Sequence, residues 1–372
     1  MKLSVMQENL ARGLQVVSRA VSTRSTLPVL NNVLLRTEDG GLKLTATNLE
    51  IGITYWVPGK IETAGAMTVP ARLLTDIVNG LPANERVDLE QQAQEILHIT
   101  AGRFETHVKG IDAEEFPAIP AAGERPTTRI PQNVLRAALD QVTFAAATDE
   151  ARPILTGVLA KFEGNQLTLA AADNYRIAVK TIPILDPVEE TNIVVPARSL
   201  HELSRVLADT DNPIDLVLSP SRNQVLFHLE GVDLVSRLID GQFPNYQQVI
   251  PKSHTTRAIV DRDQLLKAVR LASLIASSSA NIVKLRVGKD AETGLTVSAA
   301  ADVGDNKSDV EAQVEGDGTT IAFNARYLLD VLANVTVDQF SIELNGPLSP
   351  GVFRPVDDGG YVHVVMPVKT TS

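Results

Sequence analysis

The strongest constraint on the fold of this chain is an internal repeat with a period of about 125 residues. Three segments share one pattern of apolar and basic residues, and they begin at residues 69, 195 and 323, which lie 126 and 128 apart. They read VPARLLTDIVNGLP, VPARSLHELSRVLA and FNARYLLDVLANV. A period of this length is that of a complete domain, so the chain predicts one domain built several times.

Two further patterns repeat in the same order along the chain. One begins at residues 6, 130 and 260, and the other begins at residues 42, 167 and 295. Their spacings are 124 and 130 in the first pattern and 125 and 128 in the second, while one third of the 372 residues is 124. We therefore predict three copies of one domain, which span residues 1–121, 128–252 and 253–372.

Two of the three patterns have the 3.6-residue periodicity of amphipathic helices. In residues 260–277, for example, Leu265, Val269, Ala272 and Ile275 fall on one face of a helix. The six windows of this kind are predicted to be helices, and they cover residues 6–22, 69–82, 130–147, 195–208, 260–277 and 323–335.

The residues between these windows have the two-residue alternation of strands, as in Leu42, Leu44 and Ala46. Turn residues interrupt the alternation often, for example at residues 163–165, which read Glu-Gly-Asn. Each copy is therefore predicted to hold two helices and six to eight short strands. This is an α+β domain in which helices lie on one face of an antiparallel sheet.

The charges are distributed unevenly between helices and strands. The whole chain has 34 basic and 45 acidic residues and a net charge of -11, which on its own argues against nucleic acid as a ligand. The six helical windows, however, contain ten basic and seven acidic residues, so the remainder of the chain carries a charge of -14. A weakly basic set of helices can hold a phosphate backbone without reading bases, although the same stripes are also typical of solvated helix faces.

Composition and motifs exclude several other classes. The chain has no cysteine, which rules out disulfides, thiol nucleophiles, cysteine zinc sites and iron–sulfur clusters. It has no apolar run near the roughly 20 residues that span a bilayer, and its opening residues become polar too early for a signal peptide. We therefore expect a cytoplasmic protein with no membrane partner.

No signature of catalysis or cofactor binding is present. The nucleophile elbow, the phosphate-binding loop, the zincin motif and the dinucleotide fingerprint are all absent from the sequence. The six histidines are scattered, and none has a second histidine at the helical spacing of metal ligands. We expect no catalytic residue, no bound metal and no cofactor.

Taken together in their order, several segments resemble the bacterial DNA polymerase III beta subunit family, the processivity sliding clamps. The segments that carry the resemblance span essentially the full length and read MKLSVMQENL, TLPVL, VPAR, ADNYRIA, VVPAR, DGQFPNY, FNARYLLDVL and VVMPV. The resemblance implies three clamp domains per chain and a homodimer that closes a six-domain ring around duplex DNA. Helices would line the hole, strands would form the outer wall, and the protein would hold a polymerase on DNA without catalysing a reaction.

The resemblance also implies a DNA-contacting set of basic residues. Arg24, Arg72 and Arg198 match basic positions of the family, and the helical charge pattern adds Arg12, Arg19, Lys267 and Arg270. Each of these side chains also fits an ordinary solvated surface.

A pocket for short partner peptides is implied between the second and third copies. Its expected residues are aliphatic or small, with a methionine that adapts to varied ligands and a few polar anchors. They are Leu155, Ala172, Asn174, Tyr175, Arg176, Ile177, Pro244, Gln248, Val249, Ser349, Val364, Val365, Met366, Pro367 and Lys369. For Ile177, Val364 and Val365 a place in the strand core is the alternative.

The expected dimer contact pairs the first copy with the third copy of a second chain. Arg103 and Phe104 are the candidates on one side, and Leu274 and Ile275 are the candidates on the other. The implied partners are sequence-independent duplex DNA, a second copy of the chain, the DNA polymerase III alpha subunit, the clamp loader and other proteins with clamp-binding motifs.

Two other functions remain open from the sequence. One is an enzyme whose site is dispersed over the repeats, which requires polar groups that converge in a cleft. The other is a repeat-built module that binds peptides and never contacts DNA. Neutralising Arg24, Arg72 and Arg198 together distinguishes the second alternative from the clamp.

Overall fold

The computed structural model describes residues 1–22, 27–38, 40–93, 95–119, 125–288 and 294–369. Each of the six predicted helical windows contains one α-helix, so those six predictions are confirmed. The helices are α1 (Gln7–Val17), α2 (Ala71–Gly80), α3 (Gln132–Val142), α4 (Ala197–Val206), α5 (Arg262–Ala276) and α6 (Ala325–Asn334). None of the helices in the described ranges is long and apolar enough to cross a membrane.

The strands pair in antiparallel fashion throughout the described residues, and most of them are short. Grouped by the predicted copies, they number eight, six and eight beside two helices each, so the predicted α+β content is confirmed. The strands of the first copy are β1 (Lys2–Met6), β2 (Asn32–Glu38), β3 (Gly41–Thr47), β4 (Ile51–Thr63), β5 (Ala66–Pro70), β6 (Arg86–Gln92), β7 (Ile96–Ala101) and β8 (Phe104–Lys109). Those of the second are β9 (Thr128–Pro131), β10 (Gly157–Ala172), β11 (Arg176–Pro196), β12 (Pro213–Leu218), β13 (Gln224–Leu229) and β14 (Val232–Arg237). Those of the third are β15 (Thr256–Asp261), β16 (Ile282–Val287), β17 (Gly294–Ala301), β18 (Gly304–Gly316), β19 (Thr319–Asn324), β20 (Gln339–Leu344), β21 (Gly351–Pro355) and β22 (Tyr361–Val365).

The chain folds into two compact units whose limits differ from those of the repeats. The first unit comprises Met1–Gln132 and Arg205–Leu238, and the second comprises Asn133–Ser204 and Ile239–Ser372. The middle copy therefore contributes to both units. Its strands β9 and β12–β14 belong to the first unit, and its strands β10 and β11 belong to the second.

The first unit holds one twelve-stranded sheet. Its main path runs β8-β7-β6-β1-β4-β14-β13-β12-β9, and β3, β2 and β5 extend it from β4. Helix α1 packs on this sheet through Leu10, Leu14 and Val17, which are buried completely. Gly13 allows that approach, because a Cβ at this position would meet side chains of β3 and β4, among them Leu44, at 2.9 Å.

The second unit holds one ten-stranded sheet in the order β10-β11-β22-β21-β20-β15-β18-β17-β16-β19. Helix α5 packs on it through the predicted face, where Leu265, Val269 and Ala272 are buried, while Ile275 at its end is half-buried. Asp261 caps the start of α5, since its carboxylate accepts the backbone N–H of Gln264 at 2.8 Å.

The middle copy departs from the predicted strand lengths. The turn predicted at residues 163–165 lies inside the continuous strand β10, although Gly164 has a φ of +59° and the register with β11 shifts on both sides of it. In the first copy the corresponding residues are divided between β2 and β3. A positive φ at glycine lets the chain bend here without ending the strand.

Candidate functional site

The tight connection between β10 and β11 shapes the first part of the candidate pocket. The Asp173 carboxylate accepts the backbone N–H groups of Tyr175 at 2.7 Å and Arg176 at 2.9 Å. The backbone N–H of Asp173 donates to the Arg176 carbonyl at 3.1 Å. This turn leaves the Tyr175 side chain 55% exposed at the tip.

Arg176 is buried beneath this turn, where it holds three elements together. Its guanidinium donates to the carboxylates of Asp173, at 3.1 Å, and Asp330 of α6, and it donates to the Phe144 carbonyl at 2.7 Å. It also lies over the rings of Phe144, at 5.5 Å, and Tyr327, at 4.8 Å. Two carboxylates and two aromatic faces compensate the buried charge, so Arg176 positions the turn from below.

The segment that follows β22 runs beside the same turn. The Met366 backbone N–H donates to the Tyr175 carbonyl at 2.8 Å, and the Tyr175 ring stacks on Tyr327 with centroids 6.0 Å apart. The Met366 side chain is exposed, whereas Val365 before it is buried completely. The turn and the C-terminal segment therefore form one continuous surface.

An apolar cluster lies under this surface. It brings together four of the predicted pocket residues, Leu155, Ala172, Ile177 and Val364, all of which are buried. The other buried members are Ala170, Val179, Val194, Phe243, Tyr246 and Val352. Burial raises the pKa of the Tyr246 hydroxyl, and side-chain hydrogen bonding to Gln247 opposes the rise.

The remaining predicted pocket residues lie at or near the surface. Val249, 41% exposed, follows the short 3-10 turn Tyr246–Gln248, which carries the exposed Gln248. Pro244 and Asn174 are also exposed, and Ser349 and Pro367 are half-buried. Lys369 instead lines a separate groove, of about 640 Å³, with residues of β16–β18.

Sequence reasoning missed several contributors to this surface. Arg152 donates to the Asn174 side chain at 3.2 Å. Tyr327 and Asp330 hold the turn from α6, more than 150 residues away in the chain. No local sequence pattern identifies these three residues in advance, because each contact joins segments that are distant in the chain.

Five of the seven predicted basic residues are exposed on the outer faces of α-helices, away from the buried faces. In the first unit Arg12 and Arg72 are exposed, and Arg19 is half-buried in the 3-10 turn Ser18–Ala20. The Arg72 side chain is 97% exposed and lies 3.9 Å from Asp76 on the next turn of α2. In the second unit the exposed members are Arg198, Lys267 and Arg270. Arg24 lies outside the described residues.

Each unit has a strand with an unpaired edge. Within the described residues β8 pairs only with β7, so it ends the first sheet. In the second sheet, β18 pairs with β17 along residues 304–311 and with β15 along residues 312–316. The second side of residues 304–311 has no strand partner in the part of the chain that the structure describes. Unpaired edges of this kind are templates for strand addition.

The predicted dimer residues lie on these two units. Phe104 begins the edge strand β8 and is 53% exposed, and Arg103 precedes it in an exposed turn. Leu274, on α5, is 70% exposed, and the neighbouring Ile275 is half-buried. Both Phe104 and Leu274 therefore leave apolar surface exposed to solvent.

Comparison with protein-family models covers nearly the whole chain. Residues 1–120, 129–245 and 247–369 match the models described as the N-terminal, central and C-terminal domains of the DNA polymerase III beta subunit. The three matches follow the three sequence copies in order.

Full-length relatives give the same result. The chain is 32% identical to the beta sliding clamp of Bacillus subtilis and 35% identical to that of Synechococcus elongatus, and each comparison covers 100% of both chains. Among solved structures it is similar to the DNA polymerase sliding clamp from B. subtilis, with a TM-score of 0.94 and 32% identity. It is also similar to a sliding clamp from Pseudomonas aeruginosa bound to griselimycin, with a TM-score of 0.92 and 30% identity. Both structures are covered completely, as is this chain.

Proposed function

Since the chain belongs to the beta sliding clamp family of DNA polymerase III, a non-catalytic processivity factor, we propose that two copies close a ring around duplex DNA and tether the polymerase. The observation that carries the ring closure is the pair of unpaired strand edges, on β8 and β18. They occupy the positions through which neighbouring copies within the chain already join. The proposed role assigns the protein to the cytoplasm.

Neighbouring copies join by one rule. The last strand of the second copy, β14, pairs with β4 of the first, and Val232 lies opposite Tyr55. The last strand of the third copy, β22, pairs with β11 of the second, and Tyr361 lies opposite Lys180. By the same rule, the last strand of the first copy, β8, is left to pair with β18 of a second chain.

The hairpin positions fix the register of that pairing. Tyr55 and Lys180 each lie four residues after the first residue of their strand, and Ser308 holds this place in β18. Phe104 begins β8 as Val232 begins β14, since each follows a two-residue turn. We therefore expect Phe104 of one chain to lie opposite Ser308 of the other.

This register places a pair of opposite charges across the contact, because Glu105 falls opposite Lys307. In the same register His107 falls opposite Asp305. Cross-strand pairs of opposite charge stabilise a sheet by roughly 0.2–1 kcal/mol each. Phe104 is 53% exposed and Leu274 is 70% exposed, so covering the remaining surface of each would add about 1–2 kcal/mol. The charges set the register and the apolar side chains provide most of the affinity.

The basic helix faces are the proposed DNA contact. Arg12, Arg72, Arg198, Lys267 and Arg270 are exposed and extend from helices whose other faces are buried. Such side chains hold phosphates by charge alone, which allows the protein to slide because no base is read. Arg19 and Arg24 complete the proposed set. The acidic remainder of the chain repels DNA from other surfaces.

The surface over the apolar cluster is the proposed docking site for partner peptides. Ile177, Val364 and Leu155 provide an apolar floor, and Met366 and Val249 are exposed beside it. A short peptide that inserts one or two apolar side chains gains most of its binding energy from such a site. Support also comes from the P. aeruginosa relative, which binds griselimycin. The proposed ligands are the polymerase alpha subunit, the clamp loader and other proteins with clamp-binding motifs.

The test combines the mass of the protein in solution with its retention on circular DNA before and after the circle is cut. Light scattering should give a mass near twice 40.0 kDa. In the presence of clamp loader and ATP, the protein should stay on circular DNA through gel filtration and leave it once the circle is cut. A monomer, or retention that does not depend on DNA ends, would refute the ring.

A variant separates the DNA contact from peptide binding. Replacing Arg24, Arg72 and Arg198 together with Gln should weaken loading on circular DNA and reduce its salt dependence. Affinity for a partner peptide, measured by fluorescence anisotropy, should remain at the wild-type value. Wild-type loading by this variant would contradict the DNA role of the three arginines.

A further inference from the structure

Two histidines and a glutamate meet on the hairpin formed by β7 and β8. His98 lies directly opposite His107, and Glu105 lies two residues before His107 on the same strand. Because cross-strand partners and alternate residues share a face, all three side chains lie on one side of the sheet. Val108 lies on the other side and is buried.

The three side chains are close enough to share an ion. His98 Nε2 is 2.9 Å from Glu105 Oε1, and the rings of His98 and His107 stack with centroids 4.5 Å apart. One ligand atom from each residue lies within 4.8 Å of the other two. His98 also borders an open cavity of about 240 Å³, so an ion can reach it from solvent.

The donor set fits a transition metal. Imidazole nitrogen and carboxylate oxygen bind Zn²⁺ at about 2.0–2.2 Å, which in a tetrahedral site separates the ligand atoms by roughly 3.3 Å. Glu105 and His107 are exposed, so side-chain rotation alone closes the remaining distance. Three protein ligands leave one tetrahedral position open.

We propose that His98, Glu105 and His107 bind a divalent transition metal ion such as Zn²⁺, and that Asp305 from a second copy occupies the fourth position. The second part rests on the proposed ring, because Asp305 falls opposite His107 only in the β8–β18 register. The bound metal then links the two chains at each closure. Lys307, opposite Glu105 in that register, competes with the metal for this carboxylate.

The middle copy provides a matched comparison. There His228 and Asp233 form a histidine–carboxylate pair on β13 and β14, at the hairpin positions that Thr100 and Glu105 hold in the first copy. No second histidine lies beside this pair in the described residues. The middle copy therefore has the histidine–carboxylate pair but lacks the second histidine that completes three metal ligands in the first copy.

The experiment titrates chelator-treated full-length protein with ZnCl₂ in a calorimeter, with Co²⁺ absorption as a second readout of tetrahedral coordination. Wild-type protein should bind one ion per chain. His98→Asn and His107→Asn should each bind more weakly by roughly tenfold or more, and His228→Asn should bind as wild type. Thermal melting of each apo variant checks that it is folded. Stoichiometric, wild-type binding by the His98→Asn, His107→Asn double variant would overturn the site.

Sedimentation equilibrium tests the shared ligand. Zn²⁺ should lower the dimer dissociation constant of the wild type by about tenfold or more and should not do so for Asp305→Asn. An equal zinc effect in Asp305→Asn would overturn the bridging role. Dimerisation of the metal-free protein is measured in the same series. A metal-free monomer would refute the proposed ring, and zinc binding by that monomer would still test the three-residue site.

Discussion

Replacing His363 with Leu should remove much of the acid sensitivity of the second unit. His363 lies on β22, buried completely, and neither ring nitrogen has a hydrogen-bond partner among the described residues. Burial, with a smaller contribution from the Arg176 charge, lowers the pKa of His363 to about 3 from 6.5. The imidazole is therefore neutral in the folded chain over the whole physiological range.

The sign and size of the effect follow from this difference in pKa. The unfolded chain takes up a proton on His363 below pH 6.5, whereas the folded chain does so only near pH 3. The contribution of the neutral His363 to the free energy of unfolding is therefore fully present above pH 6.5. It decreases as the pH falls from 6.5 towards 3, by about 1.4 kcal/mol per pH unit. Between pH 7 and pH 5 the loss is about 2 kcal/mol.

Thermal melting at the two pH values measures this loss. About 2 kcal/mol corresponds to a shift of about 4–8 °C in Tm for a unit of this size. The decrease in Tm from pH 7 to pH 5 should be smaller by that amount in His363→Leu than in wild type. Any change in packing at position 363 affects both pH values equally, so the difference is insensitive to it.

A second histidine variant is the control. His201 is exposed on α4, and His201→Asn should show the wild-type difference between pH 7 and pH 5. Equal acid sensitivity in wild type and His363→Leu would refute the reasoning, because it would mean that the buried imidazole does not titrate differently in the two states.

Three further outcomes are expected. Arg176→Met leaves the Asp173 and Asp330 carboxylates without their guanidinium, so the second unit should lose about 3–5 kcal/mol, seen as a lower Tm, and partner-peptide affinity should fall with it. Glu105→Lys should weaken the metal-free dimer, and adding Lys307→Glu should restore it, as sedimentation equilibrium will show; no recovery would contradict the proposed register. Phe104→Ala should raise the dimer dissociation constant about tenfold or more.

The helices were predictable because burial of one face imposes a period on the sequence. In the window that contains α4, Leu200 and Leu203 of the helix and Leu207 directly after it are buried, as the 3.6-residue pattern predicts. The start of α6 was also readable, since Asn324 accepts the backbone N–H of Arg326 at 3.0 Å. Both features depend on residues a few positions apart, and sequence carries that information directly.

Contacts between distant residues could not be predicted in this way. The Arg176–Asp330 pair joins residues 154 positions apart, and no local pattern in either segment selects the other. The family resemblance predicts that Arg176 belongs to the peptide pocket, and its side chain lies below the turn, 8% exposed. An arginine in a strand is expected at the surface, and only tertiary contacts with two carboxylates make its burial stable.

The histidine pair on β7 and β8 shows that a sequence search for metal ligands needs a different spacing rule in strands from the one used in helices. Metal ligands on a helix recur three or four residues apart, and His98 and His107 fail that test because they are nine apart. Across a hairpin, however, paired residues are those equally distant from the turn, and Gly102 and Arg103 form this turn with a φ of +57° at Gly102. Ala101 pairs with Phe104, so counting outward three residues on each side brings His98 to His107. In a sheet protein, side chains that can share a ligand are therefore found by pairing residues at equal distances on either side of each hairpin turn. A search at a fixed helical spacing misses them.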